Sequence, residues 1–215
     1  MKPVPASPFA DWQKRIDAFK KSFIYPVVSS EFCGGKSVEE VMTSLGENNA
    51  AVVQLREKNR SDADLFQLAC RCRQITAAYR MLLFIDDRLD IALACGADGV
   101  HLGQDDLPIA AARKLAPQLI IGASTHNAAE IAAAEADGCS YLNIGPIFPT
   151  QTKSVQCGAL GLEYFNELKD LVHVPFSVMG GIKEPHIRML ADAGAKHIAM
   201  VTEVIAKPEL CRLTR

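Results

Sequence analysis

The chain of 215 residues predicts an α/β fold: a single (β/α)₈ TIM barrel with a short N-terminal helix preceding strand 1. Three observations predict it. Apolar runs of strand length recur along the whole chain, helical patterns separate them, and a helix–glycine–strand rhythm returns at intervals.

The runs are FIYPVV (23–28), AAVVQL (50–55), MLLFID (81–86), DGVHLG (98–103), LIIGAS (119–124), YLNIGP (141–146), PFSVMG (175–180) and KHIAMV (196–201). They are continuous rather than alternating, which suits strands covered on both faces. Between them, Ser61 to Tyr79 sets Leu65, Leu68, Ala69, Cys72, Ile75 and Tyr79 on one helical stripe. Asn127 to Ala136 opens on an N-x-x-E cap signal and stops before Gly138. The segments Gly96-Ala-Asp-Gly, Asp137-Gly and Ala193-Gly-Ala each end a helix just before a strand. The rival is an open doubly wound sheet. It needs an early G-x-G-x-x-G turn, and the sequence has none. Residues 1–22 read as a proline-bearing lead and an amphipathic helix, and 23–215 as the barrel domain, with no linker to a second one.

Composition narrows the partners. Hydrophobic residues make up 49% and charged ones 22%, as in a soluble globular protein. A net charge of −2 gives no general attraction for nucleic acid or an anionic membrane, so an anionic substrate needs a local cluster of cations. No run is long enough to span a bilayer, and the N-terminus lacks the apolar stretch of a secretory signal. Cysteines at 33, 70, 72, 95, 139, 157 and 211 show no metal or disulfide spacing and read as small buried hydrophobes in a reducing compartment. The expected location is cytoplasmic, and a homo-oligomer remains open.

Barrels carry their chemistry at the carboxyl ends of strands, and the unusual polar clusters fall there. After the second run, alternation sends Gln54, Arg56 and Lys58 to one side, where two cations and an amide can grip a diphosphate. A solvated charge cluster is the plain alternative. The third run ends in Asp86-Asp87-Arg88, and the fourth runs into Gln104-Asp105-Asp106. Carboxylates from adjacent strand ends can share Mg²⁺ with substrate oxygens, or Asp87 and Asp105 or Asp106 can simply cap the next helices. Ser124-Thr125-His126-Asn127 offers hydroxyls for a leaving group and a histidine for proton transfer, with Thr125 or Asn127 also suited to capping. The long stretch from Pro146 to about Gly161 carries Thr150, Thr152 and Lys153, residues suited to a lid over phosphate oxygens or to a plain loop. Gly180-Gly181 and Val201-Thr202 close the seventh and eighth runs, where barrels commonly bind a phosphate.

Taken in order, QLREK (54–58), DDRLDIAL (86–93), GADGVHLGQDDLP (96–108), IIGASTHN (120–127), YLNIGPIFPTQTK (141–153) and MGGI (179–182) resemble the thiamine-phosphate synthase family. The resemblance covers roughly residues 23 to 205. HLGQDDLP and GPIFPTQTK are specific, whereas GGI is common among phosphate-binding barrels. It implies a Mg²⁺-dependent transferase of thiamine biosynthesis. That enzyme joins a hydroxymethylpyrimidine diphosphate to a thiazole phosphate and releases diphosphate. By the same resemblance, Arg56, Lys58 and Lys153 hold the diphosphate, Asp87 and Asp106 ligate Mg²⁺, and Ser124 bonds the leaving group. Gln54 lies beside the pyrimidine, Thr150 and Thr152 contact the thiazole, and Gly181, Val201 and Thr202 offer backbone groups to its phosphate.

Two positions depart from the family pattern: Asp86 stands where Asn is usual, and Thr202 where Ser is usual. A carboxylate at 86 either repels the diphosphate or joins the metal shell. The runner-up is a thiazole tautomerase-like isomerase using His126, and a third reading is a non-catalytic paralogue that binds phosphates or thiamine precursors.

Overall fold

A computed structural model describes residues 5–9, 11–150 and 158–214. Its elements follow the expected alternation: α1 (Trp12–Lys21), β1 (Ile24–Val28), α2 (Val38–Glu47), β2 (Val52–Leu55), α3 (Asp62–Ala78), β3 (Leu82–Asp86), α4 (Leu89–Ala94), β4 (Gly99–Leu102), α5 (Ile109–Leu115), β5 (Ile120–Thr125), α6 (Ala128–Ala136), β6 (Tyr141–Ile144), α7 (Gly161–Lys169), β7 (Phe176–Val178), α8 (Glu184–Asp192), β8 (His197–Met200) and α9 (Thr202–Ala206). Short 3₁₀ turns cover Ser30–Phe32 and Pro208–Arg212. The strands close in sequence order into one barrel, all neighbours parallel, with β8 pairing β1 through Pro26 and Met200. Among the described residues no helix is long and apolar enough to cross a membrane.

The boundaries have local causes. Ser61 caps α3 by accepting from the Asp64 N–H, and Asn127 caps α6 by accepting from the Glu130 N–H. Two details of the α3 stripe differ from expectation. Tyr79 ends the helix 39% exposed, while Arg73, which the stripe omitted, is fully buried. Burial of Arg73 follows from its partner Asp98, also fully buried, with Nη1 2.6 Å from Oδ2.

Closure separates two cores by strand alternation. On β3, Leu83 and Ile85 join the large core beneath the helices, while Leu82 and Phe84 join the barrel interior with Tyr25, Val52, Ile120, Tyr141 and Ala199. The N-terminal helix seals this interior from below. Phe19 of α1 is fully buried, with ring centroids 4.6 Å from Tyr141 and 4.8 Å from His197. Gly122 is required here, because a Cβ on it would stand 2.2 Å from the Tyr141 ring. With the amino-end mouth plugged by apolar groups, the polar inward positions concentrate towards the carboxyl-end mouth.

Candidate active site

Two groups of residues face each other across that mouth. On the β2–β4 arc, Lys58 donates to Asp87, and its Nζ lies 3.0 Å from Asp86 Oδ2; Arg56 Nε lies 3.5 Å from the same oxygen. Among the described residues, this buried Asp86 oxygen is met by these two ion-pair contacts. Burial, and then the charge of Asp87, push the Asp86 carboxyl up to about 6, against the pull of Lys58 and Arg56. Burial also works against Asp87, but hydrogen bonds from Lys58 and Asp106 outweigh it and hold that carboxyl below its usual range. Asp106 is raised, by burial first and then by its bond to Asp87. For Lys58, the carboxylates prevail over burial and raise the ammonium.

The capping alternatives for these aspartates fail. Asp87 sits at φ 60 with its N–H on the His101 carbonyl at 2.8 Å, and Arg88 is the residue that precedes α4, with no side-chain cap bond. A left-handed aspartate costs of order 1 kcal/mol, which the surrounding structure must offset. Asp106 Oδ2 accepts the Gly103 N–H at 2.6 Å, and α5 starts after Pro108 without a side-chain cap. Asp105 is exposed. Both Asp87 and Asp106 therefore spend their carboxyls at the mouth. Two neighbouring carboxyls, with further positions left to water or phosphate oxygens, are a donor set that fits Mg²⁺.

Between the arcs runs a buried chain of hydrogen bonds. Gln54 Nε2 donates to Tyr25 Oη at 2.8 Å, and Tyr25 Oη lies 2.9 Å from Tyr141 Oη. His101 Nδ1 lies 2.8 Å from Tyr141 Oη, and its Nε2 2.9 Å from Ser124 Oγ. With Gln54 donating, two proton arrangements satisfy all four bonds: Tyr25 donates to Tyr141, Tyr141 to His101 Nδ1 and His101 Nε2–H to Ser124, or Ser124 donates to His101 Nε2, His101 Nδ1–H to Tyr141 and Tyr141 to Tyr25. In the first arrangement the Ser124 hydroxyl proton remains for a ligand. Sequence reasoning missed Tyr25, His101 and Tyr141. Period-two alternation from Gln54 and Ser124 was the signal, but only closure brings five strands' inward faces together. His126, the candidate proton carrier, is bonded instead to Glu130, with Nδ1 to Oε2 at 2.8 Å.

On the β7–β8 arc lies a cavity of about 500 Å³ lined by Thr150, Gly180, Gly181, Lys183, Val201 and Thr202, with Glu31 and Phe32 also on its wall. Gly180 (φ 104) and Gly181 (φ 61) are left-handed, and a Cβ on Gly181 would meet the Pro149 carbonyl at 2.4 Å. The glycine pair is thus needed for packing against the loop after β6, whose Phe148 N–H donates to the Gly180 carbonyl at 3.0 Å. Thr152 and Lys153 lie outside the described residues. Lys183 is a further site residue absent from the sequence-derived set.

Comparison with known proteins places this mouth in context. The family model for thiamine monophosphate synthase matches residues 24–204. The chain belongs to that family. The thiamine-phosphate synthase of Shouchella clausii is 39% identical over 184 residues, spanning 85% of this chain and 88% of the relative. That of Pelotomaculum thermopropionicum is 39% identical over 188 residues, with 87% and 86% covered. Among solved structures, thiamine phosphate pyrophosphorylase from Pyrococcus furiosus superposes with a TM-score of 0.81 at 33% identity, covering 90% of this chain and 95% of that one. As a member of the thiamine monophosphate synthase family, the chain is a transferase.

Proposed function

We propose that the chain joins 4-amino-2-methyl-5-hydroxymethylpyrimidine diphosphate to 4-methyl-5-(2-hydroxyethyl)thiazole phosphate, forming thiamine phosphate and diphosphate. One observation carries the reading: a cluster of two cations and three carboxylates on β2–β4 faces a cavity on β7–β8 across a single barrel mouth. That arrangement suits one substrate that leaves a diphosphate and another that keeps a phosphate.

Arg56 and Lys58 grip the diphosphate, and the Ser124 hydroxyl donates a hydrogen bond to the departing oxygen. Gln54, fixed by Tyr25, lies beside the pyrimidine. As the carbon–oxygen bond breaks, its electron pair leaves with the diphosphate, and the electron-rich aminopyrimidine shares the positive charge on its methylene carbon. The thiazole nitrogen lone pair then forms the new carbon–nitrogen bond. No proton changes hands, so the mouth needs no general base. Thr150 and Thr152 position the thiazole, Gly181, Val201 and Thr202 hold its phosphate through backbone groups, and Lys153 joins the diphosphate clamp. Asp87 and Asp106 hold Mg²⁺, which when bound neutralises diphosphate charge. A cytoplasmic location, in water and without a nucleic-acid or membrane partner, belongs to the same proposal.

The test supplies both substrates with Mg²⁺ and measures diphosphate and thiamine phosphate. Absence of product from folded protein would overturn the reading. Asp106→Ala should abolish Mg²⁺-dependent turnover with its circular dichroism unchanged; surviving turnover would leave Asp106 a loop-pinning residue bonded to Gly103.

A further inference from the structure

We propose that the Lys183 ammonium binds the phosphate of the thiazole substrate directly and lets this mouth distinguish phosphorylated from dephosphorylated thiazole, an inference that rests on the function read above. Among the described residues lining the β7–β8 cavity, Lys183 and Glu31 are the charged ones. Glycine N–H groups and threonine hydroxyls are neutral donors. A phosphate dianion in this cavity therefore finds in Lys183 its one cationic partner among the described lining residues, while Glu31 disfavours anions placed elsewhere in it.

The ammonium is held where that contact is made. Lys183 Nζ lies 3.2 Å from Thr202 Oγ1 and 3.3 Å from Glu203 Oε2. An ammonium has three N–H groups, so these two contacts leave one for an incoming anion. The base of the side chain is anchored as well. The Lys183 N–H donates to His186 Nδ1 at 3.2 Å, and the His186 ring packs on Phe148 with centroids 4.2 Å apart. That contact couples Lys183 to the loop carrying Thr150.

The pairing with Glu203 does not tie Lys183 up. Lys207 Nζ lies 3.2 Å from the other Glu203 oxygen and 2.5 Å from Glu184 Oε2. When Lys183 turns to a phosphate, Glu203 keeps a lysine. A plain surface ion pair contributes little, and Lys183, with its side chain 51% exposed, would be one if it did not line the cavity.

Initial rates with each substrate varied in turn test this. Lys183→Ala and Lys183→Gln should raise KM for thiazole phosphate roughly tenfold, the scale of one charge-assisted hydrogen bond at a half-exposed site. KM for the pyrimidine diphosphate should stay unchanged, and Lys183→Arg should recover most of the loss. With dephosphorylated thiazole, wild type and Lys183→Ala should match. A KM within twofold of wild type for thiazole phosphate, or an equal rise for the dephosphorylated compound, would overturn the inference. Calorimetric titration with thiazole phosphate and with inorganic phosphate separates the two levels. Weaker binding to Lys183→Ala from a wild type that makes no thiamine phosphate would uphold Lys183 and sink the synthase reading. Product formation with unchanged phosphate affinity would do the reverse.

Discussion

Replacing Asp98 with alanine removes the carboxylate that holds the closed end of the barrel together. Its Oδ2 receives Arg73 Nη1 at 2.6 Å and the Leu83 N–H at 2.9 Å. Its Oδ1 accepts from Ser7 in the N-terminal lead and lies 3.4 Å from Arg15 Nε on α1. Without the carboxylate, the fully buried Arg73 guanidinium keeps, among the described residues, only the 3.4 Å hydrogen bond from Nη2 to the Met81 carbonyl. Breaking one side of such a pair costs about 3–5 kcal/mol, and the orphaned Leu83 N–H adds roughly 1 kcal/mol. The expected loss is therefore about 4–6 kcal/mol, or a fall of about 10 °C or more in Tm for a chain of this size. Urea melts followed by circular dichroism read the loss directly. The double variant Arg73→Met with Asp98→Leu removes both charges and keeps apolar volume, so it should recover at least half of it. A single-variant loss below about 1 kcal/mol, or a double variant no more stable than Asp98→Ala, would refute the reasoning.

Other consequences are as direct. Asp86→Asn frees Arg56 and Lys58 from a buried carboxylate and should lower KM for the pyrimidine diphosphate several-fold, on the scale of one charge interaction at intermediate dielectric; an unchanged or raised KM counts against competition between Asp86 and the diphosphate. Gly122→Ala places a Cβ 2.2 Å from a Tyr141 ring held by Tyr25 and His101. It should destabilise by about 1–3 kcal/mol and also slow turnover through Ser124, whereas full activity would show that the chain does not orient the serine. Burial pushes the Cys95 and Cys139 thiols up to about 12, so little thiolate exists near pH 8. Iodoacetamide should leave both unmodified in the native protein and label both in urea, read by peptide mass spectrometry; rapid native labelling would contradict their burial.

The strands were legible because each is covered on both faces, which writes a continuous apolar run such as MLLFID into the chain. The location of the site followed from the same reading, since Arg56, Asp87, Asp106 and Ser124 stand at or just beyond strand ends. Asn127 was legible as a cap because capping is a contact across three residues. Longer-range facts were not. Arg73 falls outside the apolar stripe of α3, and its burial follows only from Asp98, 25 residues on, lying against it. Tyr25, His101 and Tyr141 lie 40 to 116 residues apart along their hydrogen bonds, and the sequence offers no way to tell a core tyrosine from a link between Gln54 and Ser124.

The sequence by itself thus determined which segments are strands and which residue types stand at their ends, because periodicity and burial act within a few residues. The tertiary structure decided which charges neutralise one another, which side chains link Gln54 to Ser124 across the interior, and that Lys183 lines the β7–β8 cavity. Those properties depend on distances across the barrel, and such distances exist only once β8 has paired with β1.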